Sequence, residues 1–235
     1  MAPFVHSITS MDVGPAHRAQ SQTQTTVVRA GRIALTGDVT LPGTMPDGLV
    51  VFAHGSGSGR TSPRNRHVAS CLVRAGFATL LFDLLTRDEE EAERDTRHLR
   101  FDIALLSDRL VDTLAWCARK PALANLPVGV FGASTGAAAA LIAATRYPVG
   151  AVVSRGGRPD LAGAALGLVR CPTLLVVGGA DTEVIELNRR ALQRMTAPTR
   201  LQIVPGAGHL FEEPGALDTV HQLAAAFFHQ HLQTH

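Results

Sequence analysis

Along this chain, short and almost wholly apolar runs alternate with longer stretches in which apolar residues recur every three or four positions. Strands are expected at 49–53, 78–82, 128–131, 150–154, 173–177 and 201–204, and the runs at 49–53, 128–131 and 173–177 lack the polar alternation of a half-exposed strand. They read as strands buried on both faces, as in a parallel sheet. Helical patterning is expected near 64–74, 101–119, 135–146, 184–195 and 216–230. In the second of these, Ile103, Leu106, Leu110 and Leu114 line one apolar face. Segments 27–29 and 32–41 read as an antiparallel opening pair turned at Ala30-Gly31. Strands alternating with helices predict an α/β fold: a mostly parallel, twisted sheet with helices on both faces. No internal repeat is visible.

The sharpest local signal follows the run at 128–131. There the chain reads Gly132-Ala133-Ser134-Thr135-Gly136 and then four alanines. A buried strand, a Gly-x-Ser-x-Gly turn and a small-residue helix is the order a nucleophile elbow requires. The bland alternative is a flexible glycine turn. In an elbow, Gly132 and Gly136 are small because strand and helix cross closely there. Ser134 is then held at a helix N-terminus, where backbone N–H groups favour developing negative charge.

A serine hydroxyl needs a base, and the base needs an orienting acid. The run at 173–177 ends in Gly178-Gly179-Ala180-Asp181, which puts Asp181 just past a strand, at the same sheet edge as Ser134. Asp181 also suits a helix N-cap, and Glu183 and Asp160 are the fallback acids. After the run at 201–204, Pro205-Gly206-Ala207-Gly208-His209 turns a loop back over that edge and offers His209 as the base. The other histidines are less well placed: His67 and His98 read as surface residues, and His221, His229, His231 and His235 fall on or after the last helix.

An acyl-transfer site also needs two N–H groups aimed at the oxyanion. The run at 49–53 leads into His54-Gly55-Ser56-Gly57-Ser58-Gly59, whose glycine-rich loop exposes such groups. The two donors are assigned to Ser56 and to Thr135, the residue after the nucleophile, with His54 packing the loop. As a phosphate cradle the loop lacks a Gly-Lys-Ser/Thr ending. Asp83 after the next strand leaves a dinucleotide site formally open, but the serine, acid and histidine argue against it.

With these segments in order, the chain resembles the α/β-hydrolase superfamily, and within it the dienelactone-hydrolase-like branch, from about residue 27 to the end. The resemblance rests on His54-Gly55-Ser56-Gly57, Gly132-Ala133-Ser134-Thr135-Gly136, Gly178-Gly179-Ala180-Asp181 and Gly206-Ala207-Gly208-His209. Dienelactone hydrolase proper uses a cysteine nucleophile. The matching position here is Ser134, which favours ordinary ester hydrolysis. The resemblance implies a serine hydrolase of small carboxylic esters or lactones working through Ser134, His209 and Asp181, with no metal or organic cofactor. Cofactor-free perhydrolysis and a non-catalytic ligand receptor on the same fold are the alternatives.

Composition narrows the rest. The chain has 235 residues, which suits one domain, expected over 26–235, behind a polar and aperiodic tail at 1–25. A net charge of +2 with only 18% charged residues gives no polyanion-binding signature, so no nucleic-acid partner is expected. Cys71, Cys117 and Cys171 are too few, and too apolar in context, for a disulfide scaffold or a zinc site. No signal peptide is recognisable and no apolar run spans a bilayer, so a soluble, cytoplasmic monomer or homodimer is expected. About 17 residues separate Ser154 from Pro172, too few for a cap domain, so the active site is expected to be open and shallow. Arg60 and Arg155 are the candidates for holding an acidic substrate group. Arg64 and Arg66 lie beside Arg60, and the charged stretch 87–100 reads as a solvated loop or a flap.

Overall fold

The computed structural model describes residues 20–96 and 98–232, so the expected tail lies, up to residue 19, outside the described residues. Eight strands form one sheet: β1 (Gln22–Ala30), β2 (Ile33–Leu41), β3 (Leu49–Ala53), β4 (Ala78–Phe82), β5 (Val128–Ala133), β6 (Ala151–Arg155), β7 (Thr173–Gly178) and β8 (Thr199–Val204). Their order is β1-β2-β4-β3-β5-β6-β7-β8, parallel from β4 to β8, with β2 antiparallel to both β1 and β4. The order reverses around β3. In an open α/β sheet, ligands bind at the carboxyl ends of strands near such a reversal.

Alternation along the buried strands splits the core in two. Val51, Val130 and Val152 pack beneath α3 (Ile103–Cys117) and α4 (Thr135–Ala143). Val50, Phe52, Phe131 and Val153 face α1 (Pro63–Arg74) and α6 (Ala216–His231). The alanines 137–140 are completely buried, which lets α4 lie close against the sheet. Among the described residues, no helix is long and apolar enough to cross a membrane.

Two expectations are corrected, and the third holds. β1 begins at Gln22, so residues 22–25 belong to the sheet and not to a tail. An edge strand with mostly exposed side chains can be polar, and Gln-Thr-Gln-Thr carries no apolar signal. The charged stretch is a helix, α2 (Arg87–Thr96), rather than a loop. Between β6 and β7 stands only a short 3₁₀ segment, Pro159–Leu168, and no cap domain.

Candidate active site

Ser134 joins β5 to α4 with φ 50° and ψ −123°, a conformation that costs a non-glycine residue about 1–3 kcal/mol. The surrounding chain enforces it. A methyl on Gly132 would lie 2.5 Å from Ala137 Cα, and one on Gly136 would collide with the carbonyl oxygens of Ala53 and His54. Ser134 N–H donates to Arg155 O at 3.2 Å, and its carbonyl accepts from Arg158 N–H at 3.0 Å. Thr135 opens α4, where the first N–H groups of a helix lack intrahelical partners.

The loops carrying Asp181 and His209 are zipped together by backbone bonds. Gly179 N–H donates to Val204 O at 2.8 Å and Ala180 N–H to Ala207 O at 2.9 Å. Only glycine fits at 178, where a methyl would meet the carbonyl oxygens of Ala207 and Gly208. His209 Nδ1 then lies 2.6 Å from Asp181 Oδ2. Although Asp181 precedes α5 (Thr182–Leu192), its side chain makes no capping bond. The fallback acid Asp160 is engaged by both sides of the Arg158 guanidinium. His209 also borders the segment leaving β6: a methyl on Gly156 would sit 3.0 Å from His209 O and 3.7 Å from its Cε1. Ser134 and His209 therefore flank the same few residues. Among the described residues, neither Ser134 Oγ nor His209 Nε2 has a hydrogen-bond partner.

Two anchors of the His209 loop had escaped the sequence reading. Phe211 takes φ 55°, rare for a bulky residue, and is buried in the core between α6 and the sheet. Glu213 accepts from Gly208 N–H at 3.0 Å. A single phenylalanine ahead of two glutamates was the available signal for the first.

The glycine loop after β3 abuts the elbow, since a methyl on Gly55 would lie 2.9 Å from Ser134 Cβ. His54 staples this loop. Its Nε2 accepts from Leu84 N–H at 2.9 Å, so the ring is neutral with its proton on Nδ1, 2.9 Å from Gly55 O. Burial pushes its pKa down, against the opposing pull of Gly55 O and Asp83. Ser56 N–H is not open, in contrast to the sequence reading: it donates to Thr135 Oγ1 at 3.0 Å. The two residues assigned to the oxyanion thus hold each other, and that hydroxyl must turn aside before Ser56 can serve an oxyanion. A groove of about 670 Å³ runs beyond this loop, walled by Ser56, Arg60, Glu93 and Arg100 among others, and does not include Ser134 or His209.

The two candidate arginines differ. Arg60 is already held by Asp38 at 2.8 Å and Asp83 at 3.1 Å, so a substrate carboxylate would have to compete with both. Arg155 is only 8% exposed, and its Nη1 has no hydrogen-bond partner among the described residues. Burial, and then the charge of Arg64, lowers its pKa to about 10. Ser154 faces α4, so alternation turns Arg155 to the face bearing α1 and Arg64.

A profile of the dienelactone hydrolase family matches residues 39–233. The chain belongs to that family. A crystal structure of dienelactone hydrolase from Anabaena variabilis ATCC 29413 is 54% identical, with a TM-score of 0.89, over 91% of this chain and all of that one. Membership brings the α/β-hydrolase fold, and Ser134 stands at its strand-to-helix elbow. The dienelactone hydrolase-like promiscuous phosphotriesterase P91 shares the fold at 18% identity and a TM-score of 0.74, over 92% of this chain and all of that one. Two Mycobacterium tuberculosis proteins, both bearing the name "Putative phosphoribosyl transferase", are 57% identical over 87% of this chain. The chain spans 46% of their length, so their name describes proteins more than twice as long as the matched region.

Proposed function

We propose that this member of the dienelactone hydrolase family is a serine hydrolase that cleaves small carboxylic esters or lactones through an acyl-enzyme. The observation that carries the reading is the 2.6 Å bond between His209 Nδ1 and Asp181 Oδ2, beside a serine held on a strained elbow. In this reading the Asp181 carboxylate keeps the proton on Nδ1 and leaves Nε2 as the base. His209 takes the Ser134 proton as Oγ attacks the carbonyl carbon. The tetrahedral oxyanion is received by Thr135 N–H and, once the Thr135 hydroxyl turns aside, by Ser56 N–H. Imidazolium then protonates the leaving alkoxide. Water, deprotonated by His209, releases the acid and restores Ser134. In a lactone the leaving alkoxide stays tethered to the acyl group, so ring opening is the acylation step.

The relative from Anabaena variabilis, named a dienelactone hydrolase, supports lactones within the substrate range. The absence of a cap between β6 and β7 among the described residues favours small or accessible acyl groups. Arg155, buried and with Nη1 unpartnered, is the group proposed for an acidic substituent.

The test is hydrolysis of p-nitrophenyl esters from acetate to decanoate by wild type and Ser134→Ala. Turnover should fall with chain length, and kcat should drop in the variant by roughly 10³-fold or more. Undiminished turnover by Ser134→Ala would overturn the assignment.

A further inference from the structure

Helices α1 and α6 pack against each other on one face of the sheet, and chemically distinctive side chains meet where they touch. His67 and Cys71 stand one turn apart on α1, as do Asp218 and His221 on α6. The ligand atoms of His67, Cys71 and His221 all lie within 4.8 Å of one another. Cys71 Sγ is 3.8 Å from His67 Nε2. Asp218 Oδ1 lies 3.1 Å from His67 Nε2 and 3.4 Å from His221 Nε2.

We propose that this cluster binds a divalent transition metal, with Zn²⁺ the best match, and so clamps α1 to α6. Two imidazole nitrogens and a thiolate form a borderline-soft set that suits Zn²⁺ and disfavours Mg²⁺ or Ca²⁺. Tetrahedral zinc, with bonds of about 2.0 Å to nitrogen and 2.3 Å to sulfur, sets its ligand atoms roughly 3.3–3.6 Å apart. The Cys71–His67 pair is already near that spacing. The remaining closure falls on His67, His221 and Asp218, whose side chains are partly exposed at the surface. Asp218, whose carboxylate lies outside that 4.8 Å group but contacts both histidines, turns in to supply the fourth position, and with the thiolate it neutralises the ion. Arg74 Nη2 donates to Cys71 Sγ at 2.9 Å, an outer contact that stabilises negative charge on the sulfur. A surface pocket bordered by His67 and Asp218 gives solvent access. The sequence reading had set Cys71 aside as a residue of apolar context. Only the packing of two helices some 150 positions apart in sequence brings histidine and carboxylate to it.

The probe is metal binding by the full chain after chelator treatment, with Zn²⁺ for affinity and Co²⁺ for its spectrum. Wild type should take up Co²⁺ with a thiolate-to-metal charge-transfer band that Zn²⁺ abolishes. Cys71→Ser should lose the band, and His221→Ala should bind Zn²⁺ at least about tenfold more weakly. Cys117 and Cys171 are no substitutes, because burial pushes their thiols up to about 12 and about 11. Zn²⁺ should raise the melting temperature of wild type but not of the double variant Cys71→Ser/His221→Ala, with circular dichroism checking that each variant is folded. A wild type without the band, a band that survives Cys71→Ser, or equal Zn²⁺ affinity in the double variant would each reduce the cluster to ordinary hydrogen bonding and overturn the proposal.

Discussion

An aspartate immediately ahead of a helix ordinarily turns its carboxylate onto the first N–H groups, a contact worth about 1 kcal/mol. Asp181 forgoes that contact and bonds His209 instead. This choice supports a functional role over a capping one, and it makes Asp181→Asn informative. An amide of the same shape can donate to Nδ1, which would place the imidazole proton on Nε2, where it cannot accept from Ser134. Turnover of p-nitrophenyl acetate should fall by roughly 10²–10⁴-fold in kcat, with KM little changed. Wild-type kcat in Asp181→Asn would transfer the role to Glu183, since Asp160 is held by Arg158. The spacing of glycines made the segments around Ser134, Asp181 and His209 legible in the sequence: close backbone approach requires Gly132, Gly136 and Gly178, and a positive φ favours Gly206. The bond from Ser56 N–H to Thr135 Oγ1 was not legible. It depends on a side-chain rotamer and on two loops meeting, neither of which leaves a pattern along the chain.

Among the elements, apolar patterning was clearest for β3, β4 and β7, buried on both faces, where composition is constrained at every position. The helix it missed, α2, is held by charge instead. Thr86 and Glu89 form a capping box: Thr86 N–H donates to Glu89 Oε2 at 2.7 Å, and Glu89 N–H to Thr86 Oγ1 at 3.3 Å. Thr86-x-x-Glu89 was readable in the sequence; the second anchor, Arg109 on α3, was not, because it lies 20 positions away. Arg109 is 5% exposed, grips both oxygens of Glu89 and donates to Leu84 O at 2.8 Å. Arg109→Met should keep the packing of the side-chain stem and release α2. With Glu89 partly exposed, the loss should be about 2 kcal/mol, below the usual cost of breaking a buried pair. Local opening should then be about thirtyfold more frequent. Trypsin nicking after Arg87 should accelerate accordingly, well ahead of any global unfolding. An unchanged nicking rate would show that Arg100, through Glu93, is the anchor that matters.

For the whole molecule, the buried titratable groups set how stability varies with pH, in two separate windows. Burial holds His54 below the ordinary histidine value of 6.5 in the folded state, whereas the unfolded chain takes up its proton near 6.5. Below that pH the unfolded state binds more protons, so stability is fully present above about 6.5 and declines as the solution is acidified toward the folded pKa. His221 and His231 are lowered in the same direction by their own desolvation. Glu93 acts in the second window. Burial alone would raise it, but Arg100 and the N–H groups of Leu99 and Arg100 outweigh that and hold it at about 2, against an ordinary 4.5. Glu89, held chiefly by Arg109, shifts the same way. Their contribution is complete above about 4.5 and is lost as pH falls toward 2. Melting temperatures should therefore be flat from pH 8 to 7, begin to fall below about 6.5, and fall more steeply below 4.5. His54→Asn should lower the whole curve, because the bond to Leu84 N–H is weakened, and should also flatten its slope just below pH 6.5. The slope is the deciding readout. A variant that is merely less stable, with the wild-type slope intact, would mean that protonation of His54 is not what acid exploits, and that the loop after β3 stays stapled as the histidines of α6 take up their protons.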